Sequence, residues 1–125
     1  MSDTRQRIAV REELARDDAF RSAQDVHARL RAAGTRIGLT TVYRALQAMA
    51  GSGEVDVMRQ PDGESVYRRC SSDRHHHHLV CRSCGSTVEV DGPAVERWAE
   101  KVAAEHGFSS VEHTVEVFGT CTRCS

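Results

Sequence analysis

Thr41-Val-Tyr-Arg-Ala-Leu-Gln-Ala-Met-Ala50, stopped by Gly51-Ser-Gly53 and followed by Val55-Asp-Val-Met-Arg59 and Ser65-Val-Tyr-Arg-Arg69, decides the fold of the N-terminal half. In the first segment Val42, Leu46 and Met49 recur at helical spacing. They form a core-facing stripe and leave Tyr43, Arg44 and Gln47 pointing elsewhere. Thr40 stands where an N-cap is needed. The two later segments read as short strands, and Gln60-Pro-Asp-Gly-Glu64 between them reads as their turn. Upstream, Ser22 is predicted to cap a helix that passes Val26 and Leu30 and ends at Gly34. Residues 4–16, with Ile8, Val10, Leu14 and Ala15 on a helical period, supply a first helix. Three helices and a hairpin are the pattern of a winged helix-turn-helix, here spanning residues 1–70.

Ser71-Ser-Asp73 reads as a hinge, placed at residues 71–74. Beyond it, residues 75–125 alternate between strand and helix signals. Strands are predicted over 75–81 and 86–90. A helix opens at Pro93, runs over 94–106 and is closed by Gly107. A last strand is predicted over 111–120, where Val111, His113, Val115 and Val117 alternate with polar residues. The whole is an α+β chain, with a second small α/β unit after the winged helix.

Composition excludes more than it selects. The net charge is −1, and sixteen of the seventeen basic residues are Arg. Residues 1–69 hold twelve Arg against ten acids, so charge alone does not announce a nucleic-acid partner. No apolar run approaches membrane-spanning length, and the N-terminus carries no signal-peptide pattern. The expectation is a cytoplasmic protein with reduced thiols, in which Cys-X-X-Cys pairs favour zinc over disulfides. There is no His-Glu-X-X-His, Gly-X-Ser-X-Gly or phosphate-binding glycine loop, nor the His-X-Glu and Pro-Cys-X-X-Cys of zinc deaminases. No enzyme and no small-molecule substrate are expected.

Two Cys-X-X-Cys pairs, Cys81/Cys84 and Cys121/Cys124, have the spacing that lets both thiolates of each pair reach one tetrahedral ion. Four thiolates leave a zinc no open position, so this site is expected to be structural and to pin the C-terminus. Four consecutive histidines, His75 to His78, precede the first pair. On a strand, His75 and His77 share one face while His76 and His78 share the other, which predicts two further metal sites. Cys70 and Asp56 lie upstream of the histidines in sequence; with His76 and His78 they make a two-nitrogen, one-oxygen, one-sulfur set suited to zinc. Asp56 alone is equally a solvated wing residue, and Cys70 alone a small buried hydrophobe. For His75 and His77, the available partners are Glu96, Glu100 and His113. His27 and His106 read as structural.

These residues resemble the ferric uptake regulator family of metal-dependent repressors, and within it the zinc uptake regulators. The resemblance rests on Ser22-Ala-Gln-Asp-Val, Gly38-Leu-Thr-Thr-Val-Tyr-Arg-Ala-Leu, the wing Gly63-Glu-Ser-Val-Tyr, His75-His-His-His-Leu-Val-Cys-Arg-Ser-Cys-Gly and the terminal Cys-X-X-Cys. It implies a homodimer, with residues 75–125 as the dimerisation and metal-binding domain. It also implies structural zinc on Cys81, Cys84, Cys121 and Cys124, a regulatory inter-domain zinc on Asp56, Cys70, His76 and His78, and a second regulatory zinc on His75, His77, Glu96 and His113. That last set selects Glu96 over Glu100. Where iron-type members carry a His and a Glu, this chain has Phe20 and Arg68. It also lacks the Asp of their His-His-Asp-His. Together with the thiol of Cys70, these departures point to zinc rather than iron.

The expected function is zinc-dependent repression of zinc uptake genes through double-stranded operator DNA. Tyr43 and Arg44 are expected to read bases, and Thr40 and Thr41 to meet phosphates or bases. The alternatives within the family are repressors that sense peroxide, iron, nickel or manganese.

Overall fold

A computed structural model describes residues 3–70 and 75–125 of the chain; the hinge assigned to 71–74 lies outside them. The chain divides into two compact units, residues 1–73 and 74–125. No helix of the described residues is long and apolar enough to cross a membrane.

The N-terminal unit runs α1 (Asp3–Leu14), β1 (Arg21–Ser22), α2 (Ala23–Ala32), α3 (Leu39–Gly51), β2 (Val55–Arg59) and β3 (Ser65–Arg69). Ser22 caps α2 as its position in the sequence requires, its Oγ accepting the Asp25 N–H at 3.1 Å. At the far end, Gly34 takes φ +87°. Its N–H reaches the Arg31 carbonyl at 3.0 Å, and the Thr35 N–H reaches that of Leu30 at 2.9 Å. A side chain at that φ would be strained, which is why a glycine closes the helix. His27 Nε2 lies 2.9 Å from the Ile37 carbonyl, tying α2 to the turn before α3.

The helix α3 starts earlier than its threonines suggest. Gly38, not Thr40, is the N-cap, with no side-chain cap bond, and Thr40 lies within the first turn. Ile37 just outside the helix and Val42 one turn inside belong to the same buried cluster. Such a hydrophobic staple sets where the helix begins, and here it outweighs the hydroxyl cap.

Val10 and Leu14 of α1, Val26 and Leu30 of α2, and Val42, Leu46 and Met49 of α3 converge with Val55 and Tyr67 in one core. Each fully buried aliphatic side chain contributes about 1.5–3 kcal/mol. The sheet has order β1-β3-β2. Strand β1 has only two residues and escapes a reading by pattern, because its existence depends on β3: Arg21 pairs with Tyr67 and Ser22 with Val66. The unit is a winged helix-turn-helix.

The second unit runs β4 (His77–Cys81), β5 (Thr87–Val90), α4 (Pro93–Glu105) and β6 (Glu116–Gly119). Strand β4 is central, antiparallel to β5 and parallel to β6. The predicted strands over 75–81 and 111–120 are both shorter here. β6 pairs from Glu116 opposite His78. Residues 111–115 therefore precede the pairing, and His113 turns toward α4 instead.

The burial in this unit is thin. Val80 and Cys81 are its buried apolar residues, joined by His77, His78 and Thr87. The α4 helix buries none of its residues. By contrast Leu79, Val88 and Val117, neighbours across the three strands, are 43%, 54% and 50% exposed.

Candidate metal centres

The sulfur site is built by two turns that the sheet brings side by side. The Gly85 N–H returns to the Cys81 carbonyl at 2.9 Å, and the Cys124 N–H to that of Cys121 at 2.9 Å. Pairing of Cys81 with Gly119 places the second turn beside the first. The four sulfurs lie within 4.8 Å of one another. Cys84 Sγ and Cys121 Sγ are 3.8 Å apart. That is too long for the bond of about 2.05 Å in a disulfide. It matches the edge of about 3.8 Å expected when two sulfurs each sit about 2.3 Å from one tetrahedral zinc.

Electrostatics favours a cation at the same point. The Cys81 thiol is lowered to about 5, first by the backbone N–H of Cys121 and then by that of Cys84. Cys124 is pushed up to about 12, chiefly by its hydrogen bonds with Cys121 and Cys84. The sulfurs are so close that ionising one keeps the proton on another. A divalent cation removes that conflict and takes all four as thiolates. These residues fit zinc.

The second cluster sits where the start of β4 faces α4. His77 Nε2 is 2.6 Å and His113 Nε2 2.9 Å from Glu96 Oε1, with His75 Nε2 3.3 Å away. His75 Nε2 and His113 Nε2 are 3.2 Å apart. Edges of about 3.3 Å are expected for nitrogens about 2.0–2.1 Å from a tetrahedral zinc. The hydrogen bonds from His113 and His77 hold the Glu96 carboxyl down to about 2. Glu96 in the first turn of α4 is thus the carboxylate the structure brings to His75, His77 and His113; Glu100 is not in the group. Gly92 makes the approach possible, since a Cβ there would stand 3.0 Å from His77 Cδ2. Three nitrogens and one oxygen converge, a set that fits zinc.

The third predicted set divides between the two units. In the first, the Cys70 thiol donates to Asp56 Oδ1 at 2.8 Å, the two residues lying diagonally at the base of the β2–β3 hairpin. In the second, the rings of His76 and His78 are 4.9 Å apart. They share the face opposite His77. Glu89, which the sequence reading passed over, joins them: it pairs with His78 across the sheet, and its Oε1 is 3.2 Å from His76 Nε2. The strand register is the signal that finds it. Arg68, which stands where iron-type members carry Glu, is buried and donates from Nε to the Asp18 carbonyl at 2.7 Å.

On α3, Tyr43 is 50% exposed, and Arg44 and Thr40 are exposed with Thr41 half-buried. The core stripe of the helix faces away from them.

Comparison with known proteins gives the family. The sequence profile of the Ferric uptake regulator family matches residues 1–118. The zinc uptake regulation protein of Mycobacterium tuberculosis (strain H37Rv) is 62% identical over 121 residues, 97% of this chain and 92% of that protein. The crystal structure of FurB from M. tuberculosis, a zinc uptake regulator, superposes with a TM-score of 0.58 at 61% identity, covering 98% of this chain and 95% of that one. A zinc uptake regulator complexed with zinc and DNA gives a TM-score of 0.75 at 28% identity, covering 95% and 80%.

Proposed function

The chain belongs to the ferric uptake regulator family, and on that premise we propose that it is a dimeric repressor that binds operator DNA when loaded with zinc and controls zinc uptake genes. One observation carries the reading: the second unit holds a closed four-sulfur set and an imidazole–carboxylate set, while Asp56 and Cys70 meet on the wing and His76 and His78 share one face of β4. The first is structural. The last, Asp56 and Cys70 with His76 and His78, is the regulatory site. Zinc held by it removes freedom between the units, so that the two recognition helices of a dimer suit successive major-groove half-sites. The site on His75, His77, Glu96 and His113 is a second regulatory zinc. The thiol of Cys70 selects zinc over harder cations. As a regulator of genes, the protein works in the cytoplasm.

Selection from a random pool of duplex DNA, with and without zinc, tests the assignment. A two-fold symmetric sequence enriched only with zinc is expected. Equal enrichment in both arms contradicts it.

Dimerisation follows from the uncovered face of the second unit. Leu79, Val88 and Val117 form a row across the sheet, and Trp98 and Phe108 are 65% and 69% exposed. An apolar surface of this kind is the core of an interface. Leu79→Asp places a charge in the row and is expected to give monomers in sedimentation at concentrations where the wild type is dimeric, with operator binding lost. A dimer that survives this change puts the interface elsewhere.

Tyr43 and Arg44 read bases, and Thr40 and Thr41 meet phosphates or bases. Arg44→Ala is expected to cost about 1–3 kcal/mol at one base-pair position and to relax specificity there. Competition among single-base operator variants measures it.

A further inference from the structure

A cleft of about 230 Å³ lies between α1 and α3, lined by Gln6, Arg7, Thr41, Arg44 and Ala45. Val10 of α1 and Val42 and Leu46 of α3, which hold the two helices together beneath it, are all fully buried. Thr41, Arg44 and Ala45 fall at i, i+3 and i+4, so they share one face of α3.

Several arginines of this unit are matched with acids: Arg11 with Glu54, Arg21 with Asp17 and Asp25, Arg29 with Asp25. Arg7 and Arg44 line one cleft that contains no carboxylate, and neither has an ion pair among the described residues. Two guanidinium groups without a counter-ion, beside an amide and a hydroxyl, make a receptor for an anion with several acceptor oxygens. A phosphate group has that chemistry, and the arginine fork matches it.

We propose that this cleft seats a backbone phosphate of the operator, held by Arg7 with the Gln6 amide and the Thr41 hydroxyl. The inference rests on the DNA-binding reading above and adds α1 to the contact surface. Arg7 then fixes the register of α3 on the duplex, and Arg44, on the same wall, supplies field to the phosphate while its fork reads the adjacent base. The two arginines thereby have separable signatures. Loss of Arg7 weakens all sequences alike, whereas loss of Arg44 acts at one base pair.

The test uses the zinc-loaded dimer, wild type, Arg7→Gln and Arg7→Lys, with operator and scrambled duplexes across a salt series. Arg7→Gln is expected to weaken both duplexes roughly tenfold or more. It should reduce the slope of log affinity against log salt by about 0.9 per protomer bound. Arg7→Lys keeps the charge and loses the fork, so the slope stays near wild type while affinity falls between the two. The thermal midpoint of each variant without DNA reports folding, and an unchanged midpoint with these losses supports the seat. If the wild type binds operator and Arg7→Gln keeps its affinity and slope, the seat is wrong and the repressor reading stands. If the wild type ignores DNA, both fall. A parallel titration with inorganic phosphate separates the sources of the anion. Saturable phosphate binding lost in Arg7→Gln, with DNA affinity unchanged, makes the cleft a small-anion site and overturns the DNA assignment.

Discussion

Cys84→Ser or Cys121→Ser is expected to remove one zinc per protomer and to unfold the second unit, with dimer and operator binding lost together. The magnitude follows from how little else holds that unit. Its buried apolar residues are Val80 and Cys81, and α4 contributes none. A structural tetrathiolate zinc supplies about 10–16 kcal/mol of apparent folding free energy near neutral pH. Domain stability is only about 5–15 kcal/mol in total. The N-terminal unit, with its own core of eleven buried residues, is expected to keep a separate thermal transition. Zinc content by elemental analysis, together with calorimetry showing which transition disappears, checks this.

The acidity of the thiols gives the same site a pH signature. Cys81 is lowered to about 5, so it is already a thiolate near neutral pH, whereas Cys124 near 12 carries its proton. Loading therefore expels protons, and zinc retention weakens as pH falls. The rate of zinc transfer to a chelator should rise steadily as pH is lowered below neutrality.

Cys70→Ala is expected to abolish the effect of zinc on operator affinity while leaving the fold, the dimer and the tetrathiolate intact. Cys70 lies at the end of the wing hairpin, outside the helical core, with its thiol on Asp56. On the proposed regulatory site, its loss removes one of four ligands and the only soft one. A coupling free energy of about 1–3 kcal/mol between effector and DNA corresponds to about 5–150-fold in affinity. In Cys70→Ala the factor should collapse to near unity. By reciprocity, operator DNA should tighten zinc in the wild type by the same factor and not in the variant. Calorimetric zinc titrations with and without operator measure both sides. A variant that keeps the full factor removes Cys70 from the regulatory site.

Local chemistry was legible in the sequence, and long-range pairing was not. The stripe Val42, Leu46 and Met49, the cap at Ser22 and the two cysteine turns all depend on residues a few positions apart. Their structural roles follow from helical period, hydrogen-bond reach and tetrahedral geometry. The alternation of His75 and His77 against His76 and His78 likewise follows from strand geometry. The misses share another cause. Strand β1 exists only because β3 offers it a partner, and β6 is cut short because its pairing with β4 begins at Glu116. Glu89 meets His76 through a cross-strand register no local pattern contains. Thr40 failed as a cap because Ile37 and Val42 meet in the core. Arg7 drew no notice because its cleft is made by a second helix more than thirty residues on.

The most direct measurement is operator binding by fluorescence anisotropy in zinc buffers, with iron, nickel and manganese buffers in parallel. Operator affinity should rise steeply with free zinc and stay flat with the other metals. Binding that ignores metal, or that answers to another ion, would leave the winged helix standing and contradict the zinc repressor.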